Sequence, residues 1–372
     1  MQVAIDARER EGLGINRYVE NLVREFSQLD HQHTLAVFRS ISDNDRMTEL
    51  DDANTRFIST RVRPYSLREH VNLSLKLRRQ KFDLVHFTDF NVPLTYRGPF
   101  IVTIHDLHLR THPWQPKRAR LWHWPLLLKH WFQLFELRSA VRRARRVLVP
   151  SQATADEIPD AWGIAPERID VIPYGAKASF HTAGLTHNPV SGGNAYLLYV
   201  GGCYPYKNVE LLVDLMDRLR GQGSDLSLIL VGPDDGFQQE IRRRVEGLGL
   251  SGSINFRGQV GDEELDSLYA HALAVVIPSL SEGFGLVGLE AMIRGVPVLS
   301  SDRRPMQEVY GTAPLYFDPT EVTGLERLVT QLRQDEALQS CLSKGGIEHA
   351  KQFSWSSTAA LTLRSYEASL IA

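Results

Sequence analysis

The stretch PSLSEGFGLVGLEAMIRGVPVLSSD, residues 278–302, decides the fold class of the region around it. An apolar strand pattern ends at its start, and a Gly-rich turn containing one Glu follows. A helical pattern and a second apolar run come next. Strand, turn, helix and strand in this order form a βαβ unit with two parallel strands. The turn predicts an anion site, because free N–H groups at a helix start attract negative charge.

Two glycines and two carboxylates give this turn its chemistry. Gly283 and Gly285 let the backbone approach a phosphate closely, since neither carries a Cβ. Glu282 lies in the turn, and Glu290 lies two helical turns along. Each carboxylate oxygen accepts from a hydroxyl, so the pair is suited to sugar and ribose diols. The alternative is that Glu290 belongs to a solvated helix face.

The alternation of strand and helix patterns extends along the whole chain. It restarts after a polar, Gly-containing stretch at residues 182–194, which predicts a second α/β domain. Amphipathic patterns such as residues 16–29 separate the apolar runs, so we expect mostly parallel sheets in doubly wound domains. The predicted domains are 1–180 and 181–356. The predicted strands are 2–5, 34–38, 84–87, 100–104, 147–150, 196–200, 227–231, 253–256, 274–277 and 297–300.

Composition excludes several classes of protein. The 372 residues are 43% hydrophobic and carry a formal net charge of -2, so the molecule has no overall attraction for nucleic acid or anionic lipid. Cys203 and Cys341 are too few for a disulfide scaffold or a thiolate metal cluster. The N-terminus has no secretory pattern, and no apolar run approaches the roughly 20 residues of a membrane span. We expect a cytoplasmic protein.

The Glu282-to-Glu290 spacing resembles the E-x7-E signature of the retaining glycosyltransferases of family 4, which have the GT-B fold. Residues 199–208, YVGGCYPYKN, are similar to the turn that precedes the family's donor-phosphate Lys. The resemblance covers nearly the whole chain. Its other segments are DAR at 6–8, GLGINRY at 12–18, TIHDL at 103–107, VPS at 149–151 and VIPYG at 171–175.

The resemblance implies two Rossmann-like domains that hold a nucleoside diphosphate sugar in the cleft between them, with helix 357–372 returning to the first domain. It implies hexose transfer to a hydroxyl of a glycan or lipid-linked glycan, with mannose from a GDP donor as the first expectation and no essential metal or other cofactor. The implied catalytic residues are His105, Lys207 and Glu282. The implied donor-binding residues are Gly12, Gly14, Gly258, Gln259, Val260, Ser279, Gly283, Phe284, Gly285, Leu286 and Glu290, and the acceptor-binding ones are Asp106 and Arg17.

One position departs from the family pattern. Many members carry Arg after the first Gly of the phosphate turn, where this chain has Gly202. Lys207 can stabilise the charge that develops on a leaving diphosphate, but a second cation is not identified by the spacing. Arg17, Arg303 and Arg304 are the candidates. The alternative for Lys207 is a solvated side chain, which the positive helix start disfavours.

Polar residues and glycines also follow strands of the first domain. Gly12 and Gly14 follow the first strand, in a turn that we expect at the carboxyl edge of the sheet, where ligands bind. Ordinary turn glycines are the alternative. His105 and Asp106 end another predicted strand, so His105 is either beside the transferred sugar, as the resemblance implies, or a hydrogen-bonded structural histidine.

Residues 117–146, KRARLWHWPLLLKHWFQLFELRSAVRRARR, combine cations with Trp and Leu. Such a segment can lie on an anionic membrane, with its aromatic residues in the headgroup region. The alternative is a pair of ordinary helices with Trp and Leu in the core. Nucleic acid is disfavoured, because no nucleic-acid-binding module accompanies the segment.

Other functions remain to be distinguished. A GT-B sugar-nucleotide epimerase would consume donor without an acceptor product, and a phosphorylase would need a pyridoxal-binding Lys that nothing in the sequence marks. A non-catalytic glycan- or membrane-binding protein could keep the fold, although the Glu pair and Lys207 are present. A nicotinamide dehydrogenase is disfavoured, because G-x-G-x-x-G would require Gly where Arg17 stands.

Overall fold

Strands and helices alternate along the chain in the order expected of βαβ units. A computed structural model describes residues 1–8, 13–40, 54–66, 68–111, 124–176 and 195–371. The chain divides into two units, of which unit 1 comprises Met1–Gly175 and Ser354–Ala372 and unit 2 comprises Ala176–Phe353. None of the helices within the described ranges combines the length and the apolar content that a membrane crossing requires.

Unit 1 contains seven strands and six helices in the described ranges. In chain order they are β1 (Gln2–Asp6), α1 (Leu13–Phe26), β2 (Thr34–Ser40), β3 (Thr55–Thr60), α2 (Glu69–Gln80), β4 (Leu84–Phe87), β5 (Phe100–Thr103), α3 (His108–Thr111), α4 (Trp124–Arg143), β6 (Arg146–Val149), α5 (Gln152–Trp162) and β7 (Ile169–Val171), with α13 (Trp355–Ile371) at the end of the chain.

The sheet of unit 1 has the strand order β3-β2-β1-β4-β5-β6-β7, and all of its pairs are parallel. The order reverses between β1 and β4, which register Val3 against Leu84 and Asp6 against Phe87. Ligands of open α/β sheets bind beyond the carboxyl ends of the strands at such a reversal. The segments that follow β1 and β4 are therefore placed at the binding edge of unit 1.

Unit 2 repeats this architecture. In chain order it contains β8 (Tyr196–Val200), α6 (Val209–Gly221), β9 (Ser227–Val231), α7 (Gly236–Gly247), β10 (Ile254–Gly258), α8 (Asp262–His271), β11 (Ala274–Ile277), α9 (Leu286–Ile293), β12 (Val298–Ser301), α10 (Arg304–Tyr310), β13 (Leu315–Phe317), α11 (Val322–Gln334) and α12 (Glu336–Ala350).

The parallel sheet of unit 2 has the order β10-β9-β8-β11-β12-β13, so its reversal lies between β8 and β11. β11 is buried along its whole length, as both faces of a sheet covered by helices require. The loops after β8 and β11 contain the two segments that the sequence singled out, residues 201–208 and 278–285. The prediction of two Rossmann-like α/β domains is confirmed.

Helix α13 completes the core of unit 1. It packs on α1, and its Tyr366 hydroxyl lies 2.8 Å from Nδ1 of His86, a fully buried residue of β4. The other ring nitrogen of His86 lies 2.8 Å from Thr103 Oγ1. Near the start of α13, Thr358 Oγ1 donates to the carbonyl of Pro173 at 2.8 Å. Buried hydrogen bonds therefore join the last helix to the central strands of the sheet.

Every strand predicted from an apolar run is present, with its ends moved by at most two residues. Three short strands were not predicted, namely β3, β7 and β13. Each lies at an edge of its sheet; polar residues interrupt β3 and β7, and β13 has only three residues. Helix α1 begins at Leu13, three positions earlier than the helical pattern indicates.

Candidate functional site

The reversal of unit 2 joins the loops after β8 and β11 by direct hydrogen bonds. The Leu280 N–H donates to the carbonyl of Tyr206 at 2.8 Å, and the Asn208 side-chain amide donates to the carbonyl of Pro278 at 3.1 Å. Asn208 adopts the left-handed region with φ 56°, which Asn tolerates better than most residues. This residue was not predicted, and its role as a link between the two loops depends on the fold.

Lys207 and Glu282 meet at this edge. Lys207 ends a short 3-10 helix, and its Nζ lies 2.5 Å from Glu282 Oε1. Ser279 Oγ donates to the same oxygen at 2.7 Å. Both charged side chains are mostly covered but reach solvent, so the interpretation of Lys207 as a solvated lysine is wrong. A cation and a hydroxyl acceptor therefore lie side by side at the carboxyl edge.

The Gly-rich turn forms the N-terminus of α9. Gly285 has φ 82°, and the N–H of Gly288 donates to its carbonyl at 3.1 Å. The Tyr310 hydroxyl donates to the same carbonyl at 2.5 Å, and a Cβ at residue 285 would lie 2.1 Å from that hydroxyl. Gly283 and Phe284 are buried, and Leu286 begins the helix. The turn therefore begins a helix and requires glycine at 285, while anion binding there stays a prediction.

Glu290 lies on the buried side of α9. Its exposed fraction is 6%, and the hydroxyl of fully buried Tyr269 donates to its Oε2 at 3.3 Å. The Arg294 guanidinium donates to the Glu290 carbonyl at 2.7 Å and also lies over the Tyr269 ring. The alternative of a solvated helix face is therefore wrong, because the carboxylate is held in a fixed position.

The structure gives a physical reason for glycine at position 202. A Cβ there would lie 2.7 Å from Cε2 of the Tyr204 ring, which occupies the space that a longer side chain would need. The carbonyl of Gly202 accepts from the Tyr199 hydroxyl at 2.7 Å. The Tyr204 ring thus replaces a side chain at 202, and this could not be read from the spacing alone.

The candidate second cations differ in their surroundings. Arg303 Nη2 lies 3.3 Å from a carboxylate oxygen of Asp302 and of Asp318, while its Nε is buried and has no hydrogen-bond partner among the described residues. Arg304 begins α10 at the carboxyl end of β12. Arg17 belongs to α1 of unit 1 and is half-buried. Two carboxylates thus lie beside Arg303, and these surroundings do not identify the second cation among the three.

The predicted donor-binding residues Gly258, Gln259 and Val260, which we expect to contact the base, lie at the end of β10. Gly258 has φ 69°, and its carbonyl accepts from the Gly232 N–H at 3.0 Å. Gln259 is exposed and Val260 is half-buried. The turn lies on the same carboxyl edge, two strands from β8. Its contact with a base remains a prediction.

His105 and Asp106 follow β5 at the carboxyl edge of unit 1. Nε2 of His105 lies 2.8 Å from the carbonyl of Thr88, and Nδ1 lies 2.6 Å from the Tyr174 hydroxyl. A carbonyl only accepts, so Nε2 carries a proton, while Nδ1 shares a hydrogen bond with the Tyr174 hydroxyl. Asp106 accepts from the backbone N–H of His108 at 3.1 Å. His105 is thus held at both ring nitrogens, which is compatible with both the structural and the sugar-positioning interpretations.

Two other predicted features of unit 1 have different outcomes. Gly14 is the second residue of α1, so the prediction of a turn is wrong at this position. An added Cβ would find nothing within 4 Å of Gly14, so the space beside the helix start is open. Gly12 lies outside the described residues.

Helix α4 has an exposed apolar face. The exposed fractions are 56% for Leu128, 68% for Trp131, 39% for Phe132 and 56% for Phe135. The spacing of three and four places these side chains on one side of the helix. The alternative that places them in the core is therefore wrong. The first part of the predicted segment, residues 117–123, lies outside the described residues.

A buried polar cluster at the same edge of unit 1 was not predicted. The Arg8 guanidinium is fully buried and donates to both Asp6 oxygens at 2.7 Å and to Glu69. Tyr65 donates its N–H to Glu69 at 2.7 Å and its hydroxyl to Asp89. The sequence drew attention to residues 6–8, but Glu69 is 61 positions from Arg8 and only the fold brings them together.

Glu136 of α4 lies close to this cluster and is 4% exposed. Burial, together with the negative charges of Glu69 and Asp89, raises the pKa of its carboxyl group to about 7. Its Oε1 lies 3.5 Å from Nε2 of His70, whose pKa is lowered by burial. Within the described ranges, no three His, Cys, Asp or Glu side chains converge as a metal site.

Comparisons with known proteins agree with this geometry. A model of glycosyltransferase family 4 matches residues 13–180, and a model described as glycosyl transferases group 1 matches residues 187–349. The O-antigen chain mannosyltransferase B of Escherichia coli is 26% identical over 95% of this chain and 96% of its own. The MMP alpha-(1->4)-mannosyltransferase of Mycolicibacterium hassiacum is 28% identical over 78% of this chain and 71% of its own.

Solved structures share the fold at lower identity. Sucrose-phosphate synthase from Thermosynechococcus elongatus superposes with a TM-score of 0.76 at 21% identity and covers 99% of this chain and 98% of its own. Anabaena HepE in complex with UDP-glucose superposes with a TM-score of 0.73 at 17% identity and covers 99% of both chains. The two parallel-sheet units are those of the GT-B fold.

Proposed function

Because the chain belongs to glycosyltransferase family 4 and is a hexosyltransferase, we propose that it transfers mannose or a related hexose from a GDP-linked donor to a hydroxyl of a glycan or lipid-linked glycan. The two mannosyltransferases described above support this choice of sugar. The relative that matches 95% of this chain is named as a mannosyltransferase of the O-antigen chain, which supports a role in the synthesis of such a polysaccharide. The donor base and the acceptor are part of the proposal.

The observation that carries the proposal is the adjacency of Lys207 and Glu282, 2.5 Å apart at the reversal of unit 2. The donor sugar is bonded to the β-phosphate, so a site for it must present a cation and hydroxyl acceptors close to each other. Lys207 binds the β-phosphate, and Glu282 accepts from sugar hydroxyls. The N–H groups at the start of α9 bind the same diphosphate, and the fixed carboxylate of Glu290 accepts from the ribose hydroxyls.

The reaction proceeds with retention of configuration. The bond between C1 of the hexose and the β-phosphate oxygen breaks, and a bond from C1 to the acceptor oxygen forms on the same face. The acceptor proton passes to the departing diphosphate, whose growing negative charge Lys207 stabilises. In this proposal His105 positions the sugar and does not act as the base. The chemistry requires no metal, since cations and backbone dipoles carry the phosphate charge.

Donor binding is tested by thermal shift with GDP, UDP, ADP and dTDP sugars on the wild type, Lys207→Ala and Glu290→Ala. A ligand that binds only the folded state adds stability, so one nucleotide family should raise the Tm of the wild type but not the Tm of Lys207→Ala or Glu290→Ala. Lys344→Ala and Glu264→Ala change exposed residues and serve as matched controls that keep the response. A response to no nucleotide would contradict the proposal. The anomeric configuration of the product, measured by proton NMR, tests retention.

We also propose that the apolar face of α4 makes peripheral contact with an anionic membrane at the cytoplasmic side. Trp131, Leu128 and Phe135 are suited to the headgroup region. Two exposed cations, Arg138 and Arg142, follow on the same face of the helix and complement lipid phosphates. Such contact would place a lipid-linked acceptor within reach.

Sedimentation with vesicles tests this contact. The wild type should bind phosphatidylglycerol-containing vesicles more than pure phosphatidylcholine vesicles, and added salt should weaken binding. Trp131→Ser should lose binding. Leu370→Ser removes an exposed leucine of α13 and serves as the control. Equal sedimentation of the wild type and Trp131→Ser would contradict the contact.

A further inference from the structure

Tyr65 has an unusual backbone conformation. It lies between β3 and α2 with φ 58°, a left-handed conformation that is costly for a residue with a large side chain. Its side chain is 40% exposed. An exposed tyrosine in an unfavourable conformation persists only where its surroundings hold it there, and such residues concentrate at functional sites.

Two buried carboxylates hold Tyr65 in place. Its N–H donates to Glu69 Oε2 at 2.7 Å, and its hydroxyl donates to Asp89 Oδ2. Glu69 is 1% exposed and Asp89 is 3% exposed. Glu69 is itself fixed by the fully buried Arg8 guanidinium. Both ends of the tyrosine are therefore fastened to the interior and its ring lies 6.1 Å from the ring of Phe90, while 40% of the residue's surface is exposed to solvent.

The anchors connect Tyr65 to the binding edge of unit 1. Asp89 follows β4, one of the two strands at the reversal of the sheet. The preceding residue, Thr88, provides the carbonyl that lies 2.8 Å from His105 Nε2. The segment 88–89 thus holds Tyr65 on one side and His105 on the other.

We propose that Tyr65 is the platform on which a sugar ring of the acceptor stacks, and that it determines which acceptor is used. The apolar C–H face of a pyranose packs on an aromatic ring, whose negatively charged face attracts polarised C–H groups. The hydrogen bond to Asp89 fixes the ring before the acceptor arrives, which reduces the ordering cost of binding. This inference rests on the proposed transferase function and adds the residue that recognises the acceptor.

Two variants separate recognition from structural support. Tyr65→Phe keeps the ring and loses the hydroxyl, whereas Tyr65→Asn loses both but tolerates the left-handed conformation. Both lose the bond to Asp89, so a role confined to that bond predicts equal effects. A stacking role predicts that Tyr65→Asn raises the acceptor KM at least about tenfold with little change in kcat, and that Tyr65→Phe raises it about twofold or less.

The matched control is Lys81→Asn. Lys81 also has a left-handed conformation, with φ 50°, but it caps the C-terminus of α2 and is exposed. Its replacement should leave the acceptor KM unchanged. Asp89→Asn weakens the anchor and should raise the acceptor KM by an intermediate factor.

The experiment measures transfer from GDP-mannose to the p-nitrophenyl α-glycosides of mannose, glucose, galactose and N-acetylglucosamine. Donor hydrolysis by water and the Tm response to GDP are measured in parallel, and both should remain as in the wild type. Equal KM values for Tyr65→Asn and the wild type would overturn the inference alone. Transfer to none of the four glycosides would also overturn it, and loss of the GDP response in the wild type would overturn the proposed function as well.

Discussion

Lys207 Nζ and Glu282 Oε1 form an ion pair at the reversal of the second sheet, with a distance of 2.5 Å. Opposite charges so close satisfy each other in the absence of donor. A sugar nucleotide presents an anion to one of them and hydroxyl groups to the other. Under the proposed function the pair would exchange one ion pair for two contacts with the same substrate, and each half of the donor would be recognised by a different member.

Replacement of Glu282 by Gln should affect the two halves of the donor in opposite directions. The carboxylate repels phosphate and competes for Lys207, so we expect Glu282→Gln to bind GDP as tightly as the wild type or more tightly. Binding of GDP-mannose should weaken by about tenfold, because an amide replaces a charged acceptor of sugar hydroxyls. Isothermal titration calorimetry with both ligands checks this. Parallel losses for GDP and GDP-mannose would contradict the division of roles.

Tyr269→Phe should weaken nucleotide binding through Glu290 without touching the ligand. The Tyr269 hydroxyl donates to Glu290 at 3.3 Å, and its loss leaves the carboxylate less firmly oriented. We expect the donor KM to rise about three- to tenfold while kcat changes little, since the ribose contact contributes to ground state and transition state alike. Tyr196→Phe, which removes a hydroxyl bonded to the Leu268 carbonyl, is the matched control. An unchanged donor KM would show that the bond does not position Glu290.

Gly202→Arg should destabilise the folded protein on steric grounds unless Tyr204 is also changed. The first carbon of any side chain at 202 would lie 2.7 Å from the Tyr204 ring, so the single variant must displace that ring. We expect its Tm to fall by several degrees, on the scale of an overpacked site. The double variant Gly202→Arg/Tyr204→Ala should recover stability and place a second cation in the phosphate turn. A double variant as unstable as the single one would show that Tyr204 is not the obstacle.

Glu136→Gln should change the pH dependence of stability. In the folded protein its pKa is raised to about 7, chiefly by burial, from an ordinary value of 4.5. Between these values the unfolded chain binds fewer protons than the folded chain, so the stability of the wild type falls as pH rises. The variant lacks this loss, and its Tm relative to the wild type should increase by about 1–3 °C from pH 5 to pH 8. Exposed Glu246→Gln is the control. Parallel curves for Glu136→Gln and the wild type would contradict the assignment.

The sequence predicted those features that local pattern determines. The apolar runs of β8 and β11 and the turn between Glu282 and Leu286 depend on neighbouring residues, and the structure places them as expected. The three unpredicted strands depend on pairing with a neighbour rather than on their own composition. The partners of the site residues likewise depend on the fold and not on the neighbouring sequence. Tyr269 beside Glu290 and Glu69 beside Arg8 are distant in sequence, and Tyr65 gives no signal until its φ angle is known.

The return of α13 to unit 1 has a consequence for biosynthesis. Chains emerge from the ribosome N-terminus first, and domains fold as units while they are made. Unit 2 is contiguous and can fold as soon as it has emerged, but the core of unit 1 lacks the Tyr366 hydroxyl beside His86 until the final helix has been translated. The domain that is synthesised first is therefore completed last. During that interval the side of α1 that α13 covers lacks its partner, so the packing of α13 on α1 is the last contact that closes the core of unit 1.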